Sequence, residues 1–202
     1  MGDILAEELE NLYLKKGLSC AEIANRLGCS KRTIWLRLSK YGISRRTRAE
    51  GLMSFFLKRV KNDLEVNYSE EEKKLLALAI DLEGAVSVAK RRTGRITVYV
   101  NMWNTKKVLV DYIRGLAKMG YVSRAKHQGN ANEAYGWAIS SLFVVQHFLK
   151  QIAPYLLAKK KQAELAIRLC ELRIKNYSKP LSAEEIQLCQ EIQRLNRRGK
   201  AN

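Results

Sequence analysis

Residues 75–89 read Leu-Leu-Ala-Leu-Ala-Ile-Asp-Leu-Glu-Gly-Ala-Val-Ser-Val-Ala, an apolar helical run that passes through an acid and a glycine into alternation. No other stretch limits the fold so tightly. Small and branched apolar residues on all sides of a helix of about three turns imply a helix packed all round. Gly84 is expected to free the backbone at its C-terminus, and the period-two pattern after it demands a strand. Glu83 is the anomaly. A carboxylate at a helix C-terminus faces the negative end of the macrodipole, so a cation is expected beside it, and a bound metal ion is the first candidate.

The flanking sequence extends this reading. Ser69 and Glu72 form a capping box that starts the helix. Beyond Gly84, Val86 and Val88 point one way, Ser87, Ala89 and Arg91 the other, and Thr93-Gly94 turns the chain. The return strand puts Ile96, Val98, Val100 and Met102 inside and Arg95, Thr97, Tyr99, Asn101 and Trp103 outside. A face of Arg, Ser, Thr, Tyr and Asn opposite an apolar one suits a sheet that reads DNA. Residues 104–119 form a helix packing through Val108, Leu109, Tyr112, Ile113 and Leu116. A second hairpin spans 121–127 and 133–140, with Arg124 and Lys126 on the polar face, where Gly136 and Ala138 offer little to a base. Helices over 141–152 (broken by Pro154), 156–175 and 182–197 follow.

Charge narrows the partner. Thirty-seven basic and 20 acidic residues leave a net charge of +17. The excess is uneven: 13 Lys/Arg against Glu22 and Glu50 in residues 15–61, and 10 against Asp111 in residues 84–126. One-signed tracts in two segments predict a polyanion, foremost nucleic acid, with ribosomal or membrane-surface binding as the bland alternative. No stretch approaches the roughly 20 apolar residues of a membrane span, and the acidic, amphipathic first 17 residues do not read as a signal peptide. Cys20, Cys29, Cys170 and Cys189 lack metal-ligand spacing and read as reduced, buried thiols of an intracellular, cytoplasmic protein. His127 and His147 have no metal-spaced partners and read as loop and helix-surface residues.

The length allows one medium domain and one small one. In the N-terminal third, Leu9, Leu12 and Tyr13 mark a first helix. The run LSCAEIANRLGCSKRTIWLRLSKYGI then gives a capping box (Ser19, Glu22), a short helix, Gly28 as a turn, and a second helix over residues 31–40. Ala24, Gly28 and Ile34 match a helix-turn-helix, with Ile23, Leu27, Ile34 and Leu38 as core. Lys31, Arg32, Trp35 and Arg37 then lie at or near an exposed face fit for a major groove; Trp35 reads equally as core. Residues 44–48 (Ser-Arg-Arg-Thr-Arg) look too short and too polar to pack. Arg45, Arg46 and Arg48 are thus either phosphate or minor-groove contacts or a solvated linker. Residues 49–67 read as one helix joining the halves.

Leu76 through Gly84 resembles the LAGLIDADG motif of homing endonucleases. Residues 153–163, Ala-Pro-Tyr-Leu-Leu-Ala-Lys-Lys-Lys-Gln-Ala, resemble the segment after that family's second hairpin, in which a basic residue reaches the active site. Lys159 falls at that position. The order of elements extends the resemblance over residues 68–199. It implies an α+β fold, an αββαββα domain (68–202) preceded by a small all-α helix-turn-helix domain (1–48) and a linker helix (49–67). It also implies hydrolysis of both strands of duplex DNA with Mg²⁺ as cofactor. Glu83 would be catalytic and a metal ligand, Lys159 would stabilise phosphate charge or activate water, and Asn101 or Asn104 would position water. One motif per chain implies a homodimer through Leu75, Ala77, Leu78, Ala79 and Leu82, and hence a roughly palindromic target. Two positions depart from the family: Leu78 replaces a glycine and Leu82 a small residue, so Ala77 and Ala79 are expected to take over the helix crossing. Asp81 reads either as a helix cap or as idle.

Two further readings share this scaffold. One is a non-cleaving DNA-binding regulator, favoured by a helix-turn-helix in the same chain but not by Glu83 and Lys159. The other is an RNA-binding splicing helper, which basic charge does not exclude.

Overall fold

The computed structural model describes residues 4–91, 94–125 and 133–197, and the chain divides into two compact units, Met1–Lys58 and Arg59–Asn202. In the first, α1 (Ala6–Glu10) runs through a π-helical turn (Asn11–Lys15) towards α2 (Cys20–Arg26) and α3 (Lys31–Lys40), and α4 (Arg48–Arg59) ends the unit. The Ser19–Glu22 capping box forms as expected. Leu9, Leu12, Tyr13, Ile23, Ala24, Ile34 and Leu38 are buried together. The single helix expected over 49–67 breaks at Val60, whose φ of −103° and ψ of 9° lie off the helix. There α4 gives way to α5 (Lys61–Leu64), and Val60 and Val66 pack on the second unit's core.

The second unit continues with α6 (Glu70–Glu83), β1 (Gly84–Lys90), β2 (Ile96–Asn104), α7 (Lys107–Ala117), β3 (Tyr121–Ala125), β4 (Ala134–Ile139) and α8 (Leu142–Ile152). After a 3-10 turn at Ala153–Tyr155 come α9 (Lys160–Lys175) and α10 (Ala183–Asn196). The expected α+β architecture is present. The strands form one antiparallel sheet in the order β1-β2-β4-β3. Val86, Val88, Val98, Val100, Met102, Trp137 and Ile139 make its apolar face, buried with residues of α6, α7 and α8.

Two packing expectations need correction. α6 is not packed all round: Leu76, Ala77 and Ile80 are fully buried, whereas Leu75, Leu78 and Leu82 are 45%, 53% and 71% exposed. α7 buries Val110, Ile113 and Ala117, leaving Val108, Leu109 and Tyr112 exposed. In both, the composition is more apolar than one face needs, so periodicity alone chose too many core residues.

Polar contacts hold the ends of this unit. Ser69 Oγ accepts from Glu72 N at 3.2 Å and Glu72 Oε2 from Ser69 N at 2.8 Å, the expected capping box. Val66, just upstream, gives its carbonyl to His147 at 2.7 Å and to Gln151 at 3.0 Å. His147 is therefore partly buried and structural rather than a surface residue. At the far edge, α10 lies along β1: Asn196 Nδ2 donates to Val86 O at 2.7 Å, and Gln193 Nε2 reaches Val88 O at 3.5 Å. All four cysteines are free thiols; Cys170 and Cys189 are buried, but Cys20 and Cys29 only half so. Burial pushes the Cys170 thiol up to about 12.

Gly84 does not play the role expected of it. Its φ of −92° and ψ of 178° are ordinary extended backbone, open to any residue. What excludes a side chain is space: a Cβ would lie 2.8 Å from Ile80 Cα and 3.0 Å from Asn101 O. Gly84→Ala should therefore destabilise the fold by about 1–3 kcal/mol, measured by urea denaturation. Wild-type stability would show that the helix-to-strand junction tolerates a wider separation.

Candidate functional site

The C-terminal turn of α6 collects the groups expected to carry chemistry. Glu83 is exposed and has no hydrogen-bond or ion-pair partner among the described residues. Lys159, half-buried, donates from Nζ to the Asp81 main-chain oxygen at 2.5 Å. A cation therefore does sit at the negative end of the α6 dipole, and the chain itself supplies it. Asp81 caps a different segment from its own: Oδ2 accepts from Leu157 N at 2.6 Å and Oδ1 from Lys159 N at 2.9 Å. Of the five interface candidates, Leu75, Leu78 and Leu82 point outward. Ala77 is fully buried in the chain's own core, and Ala79 is partly buried against it.

Among the described residues, no three His, Cys, Asp or Glu side chains gather closely enough to hold a metal ion. Both Asp81 oxygens accept amide hydrogen bonds, whereas Glu83 is a hard oxygen donor at this helix end with no partner among the described residues. Mg²⁺ keeps several waters and is held through one or two carboxylates, so Glu83, joined by its counterpart where a second chain brings one, fits the ion. Asn104 is engaged elsewhere, its Oδ1 accepting from Lys106 N at 2.8 Å ahead of α7.

From Gly84 the chain leads straight onto the polar face of the sheet. The register pairs Ser87 with Tyr99, Ala89 with Thr97, Asn101 with Ala138 and Trp103 with Gly136. Arg91 lies along this face, Nε donating to Thr97 Oγ1 at 3.3 Å and an Nη to Tyr99 Oη at 3.0 Å. Arg95 is exposed where β2 begins. Trp103 is 43% exposed and covers Gly136, where a Cβ would lie 2.7 Å from its ring. Alternation placed these β1 and β2 residues correctly. On β3 it did not. Ser123 pairs with Gly136 and Tyr121 with Ala138, so these two share the polar face, whereas Arg124 pairs with Tyr135 on the side of Val122 and Trp137. A shift of one residue in strand phase moves every side chain to the other face, and Arg124 instead forms an ion pair with Glu133. Lys126 lies outside the described residues. Tyr121 was missed because a strand of five residues gives alternation too little length.

In the first unit, Lys31, Arg32 and Trp35 are exposed on α3, and Arg37 is half-buried. Trp35 is at the surface rather than in the core, 43% exposed with the Arg45 guanidinium 4.3 Å over its ring. Arg48 is exposed at the start of α4. Arg46 is the correction. Its guanidinium donates to the carbonyls of Tyr13, Gly17 and Leu18 at 3.0, 3.1 and 2.5 Å and to Ser54 Oγ at 3.3 Å, and lies 4.2 Å over the Tyr13 ring. A planar fork of five donors satisfies carbonyls left open where the first helix ends, a role a run of basic residues cannot announce. Arg46→Ala should cost about 2 kcal/mol or more of this unit's stability, whereas Arg45→Ala should be close to neutral. Thermal denaturation checks this; equal melting of the two variants would make Arg46 an ordinary surface residue.

No protein-family model matches the sequence, and no curated protein matches it. Solved structures do match. The homing endonuclease I-CvuI, bound to the uncleaved I-CreI target in the presence of Mg, is 17% identical with a TM-score of 0.53, over 66% of this chain and 87% of that one. I-CvuI with its own target in the presence of Ca is 17% identical with a TM-score of 0.50, over 70% and 88%. The chain shares their fold. Among the described residues, no helix is long and apolar enough to cross a membrane.

Proposed function

We propose that this protein is a site-specific endonuclease that cuts both strands of duplex DNA as a homodimer. The observation that carries this reading is the foot of α6, where the Lys159 ammonium rests on the Asp81 carbonyl. There Glu83, without a partner among the described residues, leads directly into the sheet whose polar face holds Ser87, Arg91, Thr97, Tyr99 and Asn101. A phosphodiester brought against that face would lie beside one anionic oxygen donor and one cation. Glu83 from each of two chains would hold Mg²⁺, which when bound stabilises charge on the attacking and leaving oxygens. Lys159 spends one of its three donors on Asp81 O, leaving two for phosphate oxygens. The exposed Leu75, Leu78 and Leu82 form the apolar stripe through which two copies would meet, with side chains larger than a close helix crossing admits, so the crossing is wider. That I-CvuI was solved on DNA with Mg or Ca supports DNA and a divalent ion as partners here. The first unit is proposed as a helix-turn-helix that lengthens the footprint through Lys31, Arg32, Trp35 and Arg45, with Arg95 and Arg48 adding phosphate contacts.

One observation favours a second reading, a DNA-binding protein that does not cut. The negative end of the α6 dipole is already met by the Lys159 ammonium, so the Glu83 carboxylate does not need a metal ion to offset that dipole. Members of the family that the sequence resembles are commonly encoded inside introns or inteins, and the same is proposed here. Incubation with Mg²⁺ and DNA spanning the gene's insertion locus without the insert therefore separates the two. Specific double-strand cutting, abolished by Glu83→Gln with binding retained, is expected; tight specific binding without cutting under any divalent ion overturns cleavage. For the first unit, replacing both Lys31 and Arg32 with Ala should lower the slope of log K against log salt by about 1 for each phosphate no longer neutralised. An unchanged slope would mean that α3 does not touch DNA.

A further inference from the structure

Asp81 lies two residues before Glu83 on α6, and its carboxylate binds nothing on its own helix. It takes the amides of Leu157 and Lys159, 76 and 78 residues away in sequence, at 2.6 and 2.9 Å. The Lys159 ammonium returns to the Asp81 carbonyl at 2.5 Å. The two residues thus hold each other in both directions, side chain to backbone each time. α9 has no cap of its own, because Lys159 occupies its N-cap position and makes no side-chain capping bond. A carboxylate delivered by α6 suits that positive helix end.

We infer that Asp81 is a positioning residue that holds the Lys159 ammonium at the C-terminal end of α6, the helix end that carries Glu83. This rests on the endonuclease reading for its purpose, but the clamp itself does not. Three points of geometry carry it. Asp81 grips the backbone of Lys159 as well as that of Leu157, so the origin of the long lysine side chain is fixed rather than only its tip. The ammonium rests on a carbonyl and forms no ion pair with the Asp81 carboxylate at salt-bridge distance, so its charge is not cancelled there. And both Asp81 oxygens accept from amides at the start of α9, so the carboxylate is tied to the backbone that carries Lys159. A lysine on an unclamped loop would sample many rotamers, and misplacement by about 1 Å can cost two orders of magnitude in rate.

The test has two arms. In the first, the acylation rate of each lysine is measured with acetic anhydride and mass spectrometry on the full-length protein without DNA. Asp81→Ala should accelerate Lys159 roughly fivefold, the weight of one hydrogen bond, with Lys160 and Lys161 as internal controls. In the second, single-turnover cleavage of the insertion-locus DNA should fall about 10- to 100-fold in Asp81→Ala while DNA affinity stays within roughly twofold. In a Lys159→Ala background, Asp81→Ala should add almost nothing, since residues acting through one another are not additive. Asp81→Asn keeps one acceptor and the side-chain shape, should fold if Asp81→Ala does not, and should show smaller losses of the same kind. Unchanged Lys159 acylation overturns the clamp. Rate losses that multiply across the double variant, or a loss of affinity matching the loss of rate, make Asp81 merely structural. If the wild type cuts no DNA while Lys159 acylation still responds to Asp81, the endonuclease reading fails and the clamp stands.

Discussion

The passage of α6 into β1 without a connecting residue is the constraint from which the rest of the second unit follows. Glu83 is the last helical residue and Gly84 the first of the strand. The chain leaves the helix axis and enters the sheet within one peptide, which brings the strand backbone against the last turn, with no room for a Cβ between Ile80 and Asn101. A loop here would let the carboxylate and the sheet drift apart. Without one, Glu83 and the polar face of β1 and β2 belong to one rigid frame.

Charge at this helix end is balanced internally. A carboxylate against a negative dipole would be a standing repulsion of some tenths of a kcal/mol up to about 1, and the Lys159 ammonium offsets it from a segment distant in sequence. The case for a divalent ion consequently does not rest on repulsion. It rests on Glu83 being an exposed carboxylate without a partner among the described residues, where Asp81 and Lys159 beside it both have theirs.

What the sequence showed and what it hid divide along the range of the interaction. Local signals were legible: the capping boxes at Ser19 and Ser69, the alternation of Val86, Val88, Val98 and Val100, and the glycine after α6 all mark elements that exist. Even there the reason differed, since Gly84 is needed for space and not for a left-handed turn. Contacts between distant segments leave no period to read. Asp81 finds Leu157, and Arg46 finds Tyr13, Gly17 and Leu18; in sequence, the one looks idle and the other looks like part of a basic arm. Arg124 failed for a third reason, because five residues of strand do not determine which parity faces outward.

The two amides that α10 lays along β1 have a consequence for how copies of the chain can associate. Val86 and Val88 carry the outward carbonyls of an edge strand, the kind of edge that otherwise templates pairing with another chain. Asn196 and Gln193 occupy them. On that side the sheet is closed to strand exchange, so copies crowded together there can stack side chain against side chain but cannot fuse into a continuous ribbon. Polymerisation through backbone pairing at this edge is thereby blocked, and a loss of α10 would open it.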